Sequence, residues 1–381
     1  METVKLRELK KVLLIVITFS IIGGMSSCRK KGCTDETATN YNEKAKKDDG
    51  TCEFDDSYEV PTTYTFNDVR YDGQTARLQM LDMLSDEVNS ASTSNAVNYS
   101  DLEAIYKNIS GSLFGSSKDL YGKTYSLDQQ YFLDLLTTID TTSINGSGVM
   151  EGDYYVTNQG VEIDQLIQKG LMGAVLYYQA TSGYLEDISG DDNTGAGGTE
   201  ATDMEHHFDE AFGYFGAPTD FSDQSTTGDA DFVANANFWG KYTISRNGEL
   251  NNVETIFTAF RTGRAAISNE DYVARDAAIE TIITEWEKVA AASVVHYINS
   301  VKADLTSGDL GSKYHHWAEG KGFAMCLKYN ISKVISTADQ STVEAAFGNN
   351  PGAITVGSDF DASLTIIKNT YGFSDTQMTN F

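Results

Sequence analysis

His206-His207-Phe208-Asp209-Glu210-Ala211-Phe212-Gly213-Tyr214 returns in outline 109 residues later, as His315-His316-Trp317-Ala318-Glu319-Gly320-Lys321-Gly322-Phe323. The shared pattern is His-His-aromatic-x-Glu-x-x-Gly-aromatic, and it holds four of the chain's five histidines. Each copy is predicted to lie on a helix. The first is capped near Thr202 or Asp203, and the second continues through Leu327 to Val334. A repeated helical block predicts an all-α fold over residues 59–381, built as two related bundles at about 59–200 and 201–381.

Length and composition agree. A chain of 381 residues can bury a sizeable core, as one large or two ordinary domains. Only three prolines interrupt it, and its apolar residues recur at helical spacing. Acidic residues outnumber basic ones 55 to 28, for a formal charge of -27. That balance excludes a nucleic-acid partner, because neutralising phosphates requires clustered Lys and Arg. Ordinary solvation accounts for an acidic surface of this kind.

Ahead of the helical region, Lys5, Arg7, Lys10 and Lys11 precede an apolar run from Val12 to Ile22, too short to span a bilayer comfortably. Residues 1–27 therefore read as a secretory signal. The sequence Gly24-Met25-Ser26-Ser27-Cys28 resembles a bacterial lipobox, with Met25 where that motif usually carries Leu. The resemblance implies lipidation of Cys28 and a membrane anchor, with 28–58 as a tether. Residues 32–52, from Gly32-Cys33-Thr34-Asp35 to Asp48-Asp49-Gly50-Thr51-Cys52, look like a short cysteine-bounded module of secreted bacterial proteins. That likeness pairs Cys33 with Cys52, in keeping with an oxidising compartment. Closing such a loop stabilises by about 3 kcal/mol in the chain-entropy model. Asp35, Asp48 and Asp49 have the chemistry for calcium, but turn roles are commoner for Asp. Cys326 lies in an apolar helical run and reads as a buried free thiol.

Within the helical region Asp72 is placed to cap a helix carrying Leu78, Leu81 and Val88. Ser100 opens another, and Ser126-x-x-Gln129 forms a capping-box pattern before Tyr131 and Phe132. Gly146 to Gly152 reads as a loop. Val161 to Ile188 predicts a long helix, whose Gly170 and Gly173 point to close helix approach. Gly190 to Gly198 reads as an acidic loop without EF-hand spacing. Further helices are predicted over Asp229–Arg246, Leu250–Ile267 and Asn269–Thr306. The last holds the lone His296 as a core histidine and is broken by Gly308. Shorter helices follow from Ser341 and Asp361.

Residues three or four apart on a helix share a face. Glu210 can thus partner His207 or His206, and Glu319 can partner His316 or His315. Adjacent histidines differ by about 100° around the axis, so one from each pair faces a given site. One imidazole and one carboxylate from each helix make a four-donor set suited to iron, manganese or zinc. Glu162 is the additional carboxylate in reach, and one site between the two bundles is expected. A single His–Glu pair would be an ordinary helix contact; its duplication favours a site. The metalloprotease string His-Glu-x-x-His is absent, as are a Gly-x-Ser-x-Gly elbow and a P-loop. Binding is therefore favoured over a metal-dependent hydrolase or peptidase. A glycan-binding surface lipoprotein would display aromatic rings, whereas all three tryptophans sit in apolar helical patterns.

The blocks Tyr71–Arg77, Lys169–Ala174, Met204–Gly216 and His316–Phe323 resemble a family of exported bacterial lipoproteins built on a domain of unknown function, over roughly residues 59–381. That family is similar to the imelysin-like proteins, which are iron-regulated, exported, all-helical and made of two related bundles. Their Gly-x-His-x-x-Glu motif is matched by His207 and Glu210, with Glu205 at the Gly position. It is matched again by His316 and Glu319, with Tyr314 at the Gly position. The resemblance implies a part in iron acquisition at the cell envelope, beside an outer-membrane transporter. It also carries the peptidase alternative, since imelysins were first described as peptidases.

Overall fold

The computed structural model describes residues 30–34, 38, 40–52, 58–227 and 232–381. The signal segment, Cys28 and Asp35 lie outside the described residues. Two compact units are present, Met1–Ser57 and Tyr58–Phe381. In the first, Cys33 and Cys52 form a disulfide. Asp48 and Asp49 accept the backbone N–H groups of Gly50 and Thr51, which is the turn role of Asp.

The second unit is helical, with one small antiparallel hairpin. Its helices are α1 (Asp72–Asn89), α2 (Tyr99–Tyr106), α3 (Gln129–Ile144), α4 (Ile163–Leu171), α5 (Asp203–Phe215) and α6 (Phe238–Leu250). They continue with α7 (Val253–Ser268), α8 (Tyr272–Ser307), α9 (Leu310–Cys326), α10 (Thr337–Ala346), α11 (Asp361–Tyr371) and α12 (Asp375–Asn380). The hairpin strands β1 (Val149–Glu151) and β2 (Tyr154–Val156) pair in register Met150 to Tyr155.

The 36-residue α8 is the axis of the unit, packing against α6, α7 and α9. Its start is capped by the Asp271 side chain, which accepts the Ala274 N–H, and its end by Gly308 at φ 80°. Ala290, Ala291, Ala292 and Ser293 are fully buried along it, and these small side chains let neighbouring helices come close. Trp239 and Trp286 pack with Tyr177 and Phe215 at the centre of the core. His296 is satisfied as a core histidine, its Nδ1 lying 2.9 Å from the Phe381 carbonyl.

Several local expectations are corrected. Asp72 is the first residue of α1 rather than its cap, and Tyr71 takes the cap position without a side-chain bond. The Ser126-x-x-Gln129 box does not form. Asp128 is the cap residue of α3, and its carboxylate is drawn off to Lys328 and Tyr329. Phe232 lies in a turn, so α6 begins only at Phe238, and α9 stops at Cys326 rather than running on to Val334. The loop read at Gly146–Gly152 contains β1. The long helix from Ile163 continues past α4 with wider π turns over Met172–Tyr177 and Gln179–Leu185. Gly170 and Gly173 do mark close approach, as a methyl there would meet the Phe132 ring and the Cys326 sulfur at 2.8 and 2.6 Å.

The contact of α9 with α4 is tighter still, since a Cβ on Gly322 would overlap Cβ of Lys169. Gly322→Ala is expected to destabilise the unit by about 1–3 kcal/mol through overpacking. Urea unfolding would show it, and an unchanged midpoint would contradict so close an approach.

Candidate functional site

The second histidine copy sits on the face of α9 that meets α4 and α8. There His315 and Glu319, one helical turn apart, pair with Nε2 to Oε2 at 3.3 Å. The other ring nitrogen of His315, Nδ1, lies 2.8 Å from Oε2 of Glu162, just ahead of α4. Tyr154 at the tip of the hairpin stacks on the imidazole, with centroids 4.4 Å apart and planes 14° from parallel. Oε1 of Glu319 accepts the Tyr297 hydroxyl at 2.9 Å and the Tyr242 hydroxyl at 3.4 Å. Lys169 Nζ from α4 completes the enclosure at 3.4 Å. His316 turns the other way, its Nδ1 pairing with Asp304 of α8 at 2.7 Å.

The first copy is built alike. His206 and Glu210 on α5 face each other at 3.9 Å, and Gln74 of α1 donates to Glu210 at 2.5 Å. Tyr184 from the π-helical segment stands beside Glu210, whose charge adds to burial in raising the phenol's pKa, and Lys123 Nζ lies 3.4 Å from the Tyr184 hydroxyl. His207 pairs through Nδ1 with Asp191 at 2.7 Å. Gly213 lets α1 approach, as a methyl there would meet Cβ of Tyr71 at 2.6 Å.

The helix spacing that matters is thus four, not three. The first histidine of each pair faces the glutamate, and the second is held by an aspartate. The repeat also extends beyond the histidine blocks. Tyr184 and Asp191 are seven apart, as are Tyr297 and Asp304, and each pair serves its copy in the same roles. Each tyrosine ring lies against the second histidine, at 5.2 Å for Tyr184–His207 and 6.2 Å for Tyr297–His316. Each also stacks on the aromatic after the motif glycine, Tyr214 or Phe323. This Tyr-x6-Asp pattern is present in the sequence. It escapes notice because it stands 23 residues before His207 but 19 before His316.

The four-donor set expected between the two copies is not assembled. Each copy finds its partners in its own surroundings, and among the described residues no group of three or more His, Cys, Asp or Glu side chains is placed to hold a metal. Glu162, nominated as the extra carboxylate, does join the second cluster. Asp209 belongs to a different network, in which its carboxylate accepts from Arg264 at 2.9 Å and Tyr64 at 2.8 Å. Arg264 also bridges to Glu205 at 2.7 Å, and Glu205 completes the capping box with Thr202. Glu205, which stands at the motif's Gly position, is therefore a structural residue. A cleft of about 620 Å³, lined by Asp191, Asp192, Tyr272 and Arg275, opens beside the first cluster. A smaller one of about 130 Å³, lined by Lys169, Lys241 and Tyr242, opens beside the second.

Burial alone would depress the His315 pKa. The hydrogen bond to Glu162 and the charges of Glu162 and Glu319 outweigh it, holding His315 above the ordinary 6.5. Burial, then the neighbouring Glu162 charge, push Asp164 up to about 7 against the pull of Lys169. Burial and the Glu319 carboxylate keep both Tyr242 and Tyr297 well above the usual phenol range. Because the His315 pKa is raised on folding, its stabilisation is complete below pH 6.5 and is lost as pH rises through the folded value. In Glu162→Gln, NMR titration should show the His315 pKa falling. The stability advantage of the parent over the variant should shrink as pH is raised through that range. An unmoved His315 titration would refute the assigned cause.

No curated protein and no solved structure matches the chain. A family described as a domain of unknown function (DUF4856) matches residues 134–346, which run from α3 to the end of α10 and include both histidine copies. The match covers more than half of the sequence, and the chain belongs to that family.

Proposed function

We propose that the chain is a lipid-anchored cell-envelope protein of imelysin-like type. It binds iron or an iron complex at its His/Glu clusters beside an outer-membrane transporter, and zinc or manganese are the alternative ions. The observation that carries the reading is the duplicated arrangement of a partly exposed imidazole over a more deeply set carboxylate. In the second copy the His315 side chain is 21% exposed and that of Glu319 9%. A surface imidazole with a carboxylate beneath it suits capture of a metal or its chelate. The export signal and lipobox resemblance of the sequence support an envelope location.

Binding is favoured over catalysis by the state of the one free cysteine among the described residues. Cys326 is fully buried and burial pushes its thiol well up, so it offers no activated nucleophile. The test is elemental analysis of Tyr58–Phe381, which forms a compact unit with its own core, beside a His206→Ala/His315→Ala variant. After incubation with ferric citrate, near-stoichiometric iron is expected in the parent and a marked loss in the variant. Absence of iron, zinc and manganese from the parent after loading with each would overturn the proposal.

A further inference from the structure

Four donors meet at one corner of the second cluster, and two of them are phenols. The Tyr242 and Tyr297 hydroxyls are 3.3 Å apart, and both donate to Oε1 of Glu319, at 3.4 and 2.9 Å. On the other oxygen of the same carboxylate, 3.3 Å away, stands Nε2 of His315. We propose that Tyr242, Tyr297, Glu319 and His315 form a ferric-iron site, binding Fe(III) through two phenolates, one carboxylate and one imidazole. The inference rests on the iron-binding reading and specifies the oxidation state and the donors.

Phenolate and carboxylate oxygens are hard donors, and iron in its trivalent state is the hard acid that suits them. Two phenolates and one carboxylate match the three charges of the ion, and the neighbouring Lys169 and Arg246 cations are then left for a bound anion to balance. On binding, each phenol exchanges its O–H bond for an O–Fe bond, His315 exchanges the Nε2–H it carries as imidazolium beside Glu319 for an N–Fe bond, and all of these protons pass to solvent. Nothing is oxidised or reduced. The imidazole is oriented from behind, since Glu162 holds Nδ1 at 2.8 Å and so directs Nε2 at the Glu319 carboxylate, where the metal would replace that contact. Four protein donors leave two positions of an octahedron for water or for the anion of a ferric chelate. Lys169 Nζ, 3.4 Å from Glu319 Oε1, places a positive charge beside them.

The first cluster shows what the second has gained. Tyr184, Glu210 and His206 repeat three of the donors, but the group beside the tyrosine hydroxyl there is the Lys123 ammonium, at 3.4 Å. No second phenol is hydrogen-bonded to the Tyr184 hydroxyl among the described residues, and the ferric site is assigned to the second cluster, where the two phenols meet.

The experiment is titration of the full chain with ferric nitrilotriacetate, followed by visible absorption and iron analysis. A phenolate-to-iron charge-transfer band is expected, saturating at one iron per chain. Tyr297→Phe and Tyr242→Phe should each weaken or abolish it, and Glu162→Gln should weaken iron binding about 10–100-fold. Tyr371→Phe, which alters a phenol–carboxylate pair at buried Glu287, should leave the band unchanged. Circular dichroism establishes that each variant is folded. If Tyr297→Phe does not fold, the half-buried Tyr242→Phe carries the test. Iron bound without such a band, or a band surviving both cluster substitutions, overturns this site and leaves the iron reading standing. Failure of any metal to bind overturns both.

Discussion

A buried carboxylate must be met by donors or it does not stay buried as an anion, and Glu319 sets that condition for the second half of the molecule. Its donors come from four separate places. Tyr242 is on α6, Tyr297 on α8, Lys169 on α4, and His315 one turn back on α9. None can arrive unless the helices lie almost in contact, which is why the motif glycine is needed at Gly322, against Lys169. The glycine and glutamate of the motif thus serve one purpose. One brings the neighbouring helix in, and the other receives the charge it carries. Gly213 and Glu210 repeat the device with α1 and Gln74.

The helical fold was legible because helix period and chain punctuation are local. The end of α8 at Gly308 was read from the glycine, whereas its start, read at Asn269, is set by the Asp271 cap two residues later. Capping by Asp72 and Ser126 was not realised, because tertiary partners compete for the same side chains. Asp128, for example, is claimed by Lys328 and Tyr329. The His–Glu pairing was legible as a choice of two spacings, and packing selected the spacing of four. Tyr184, Tyr297, Asp191 and Asp304 were not recognised. They act through distant sequence contacts, and a four-residue difference in the connection hides their common spacing from the motifs.

The two clusters show how one frame can carry different charge. The aspartate that holds the second histidine, the tyrosine on the glutamate and the aromatic stacked behind it are common to both. What differs is the donor from the helix that the glycine admits, neutral Gln74 in one and charged Lys169 in the other. Asp209, with Ala318 as its counterpart, faces away from the cluster into the buried Arg264 network. Its absence from the second copy therefore leaves the His–Glu arrangement intact.

One helical run supplies both clusters. Lys169 on α4 reaches Glu319, and Tyr184, fifteen residues further along, reaches Glu210. In an unbroken α-helix, residues fifteen apart point about 60° from one another. The π turns over Met172–Tyr177 and Gln179–Leu185 fit more residues into each turn and so change that angle. Where they occur, Gly173 is pressed against Cys326 and Tyr329, and Trp239 donates its indole N–H to the Met172 carbonyl. A carbonyl with a partner outside the helix is relieved of the need for an intrahelical bond, so the wider turn leaves the Met172 carbonyl paired. The re-aimed helix is thereby fixed by the same central packing that holds α8, and the geometry of each cluster depends on a core that neither motif encodes.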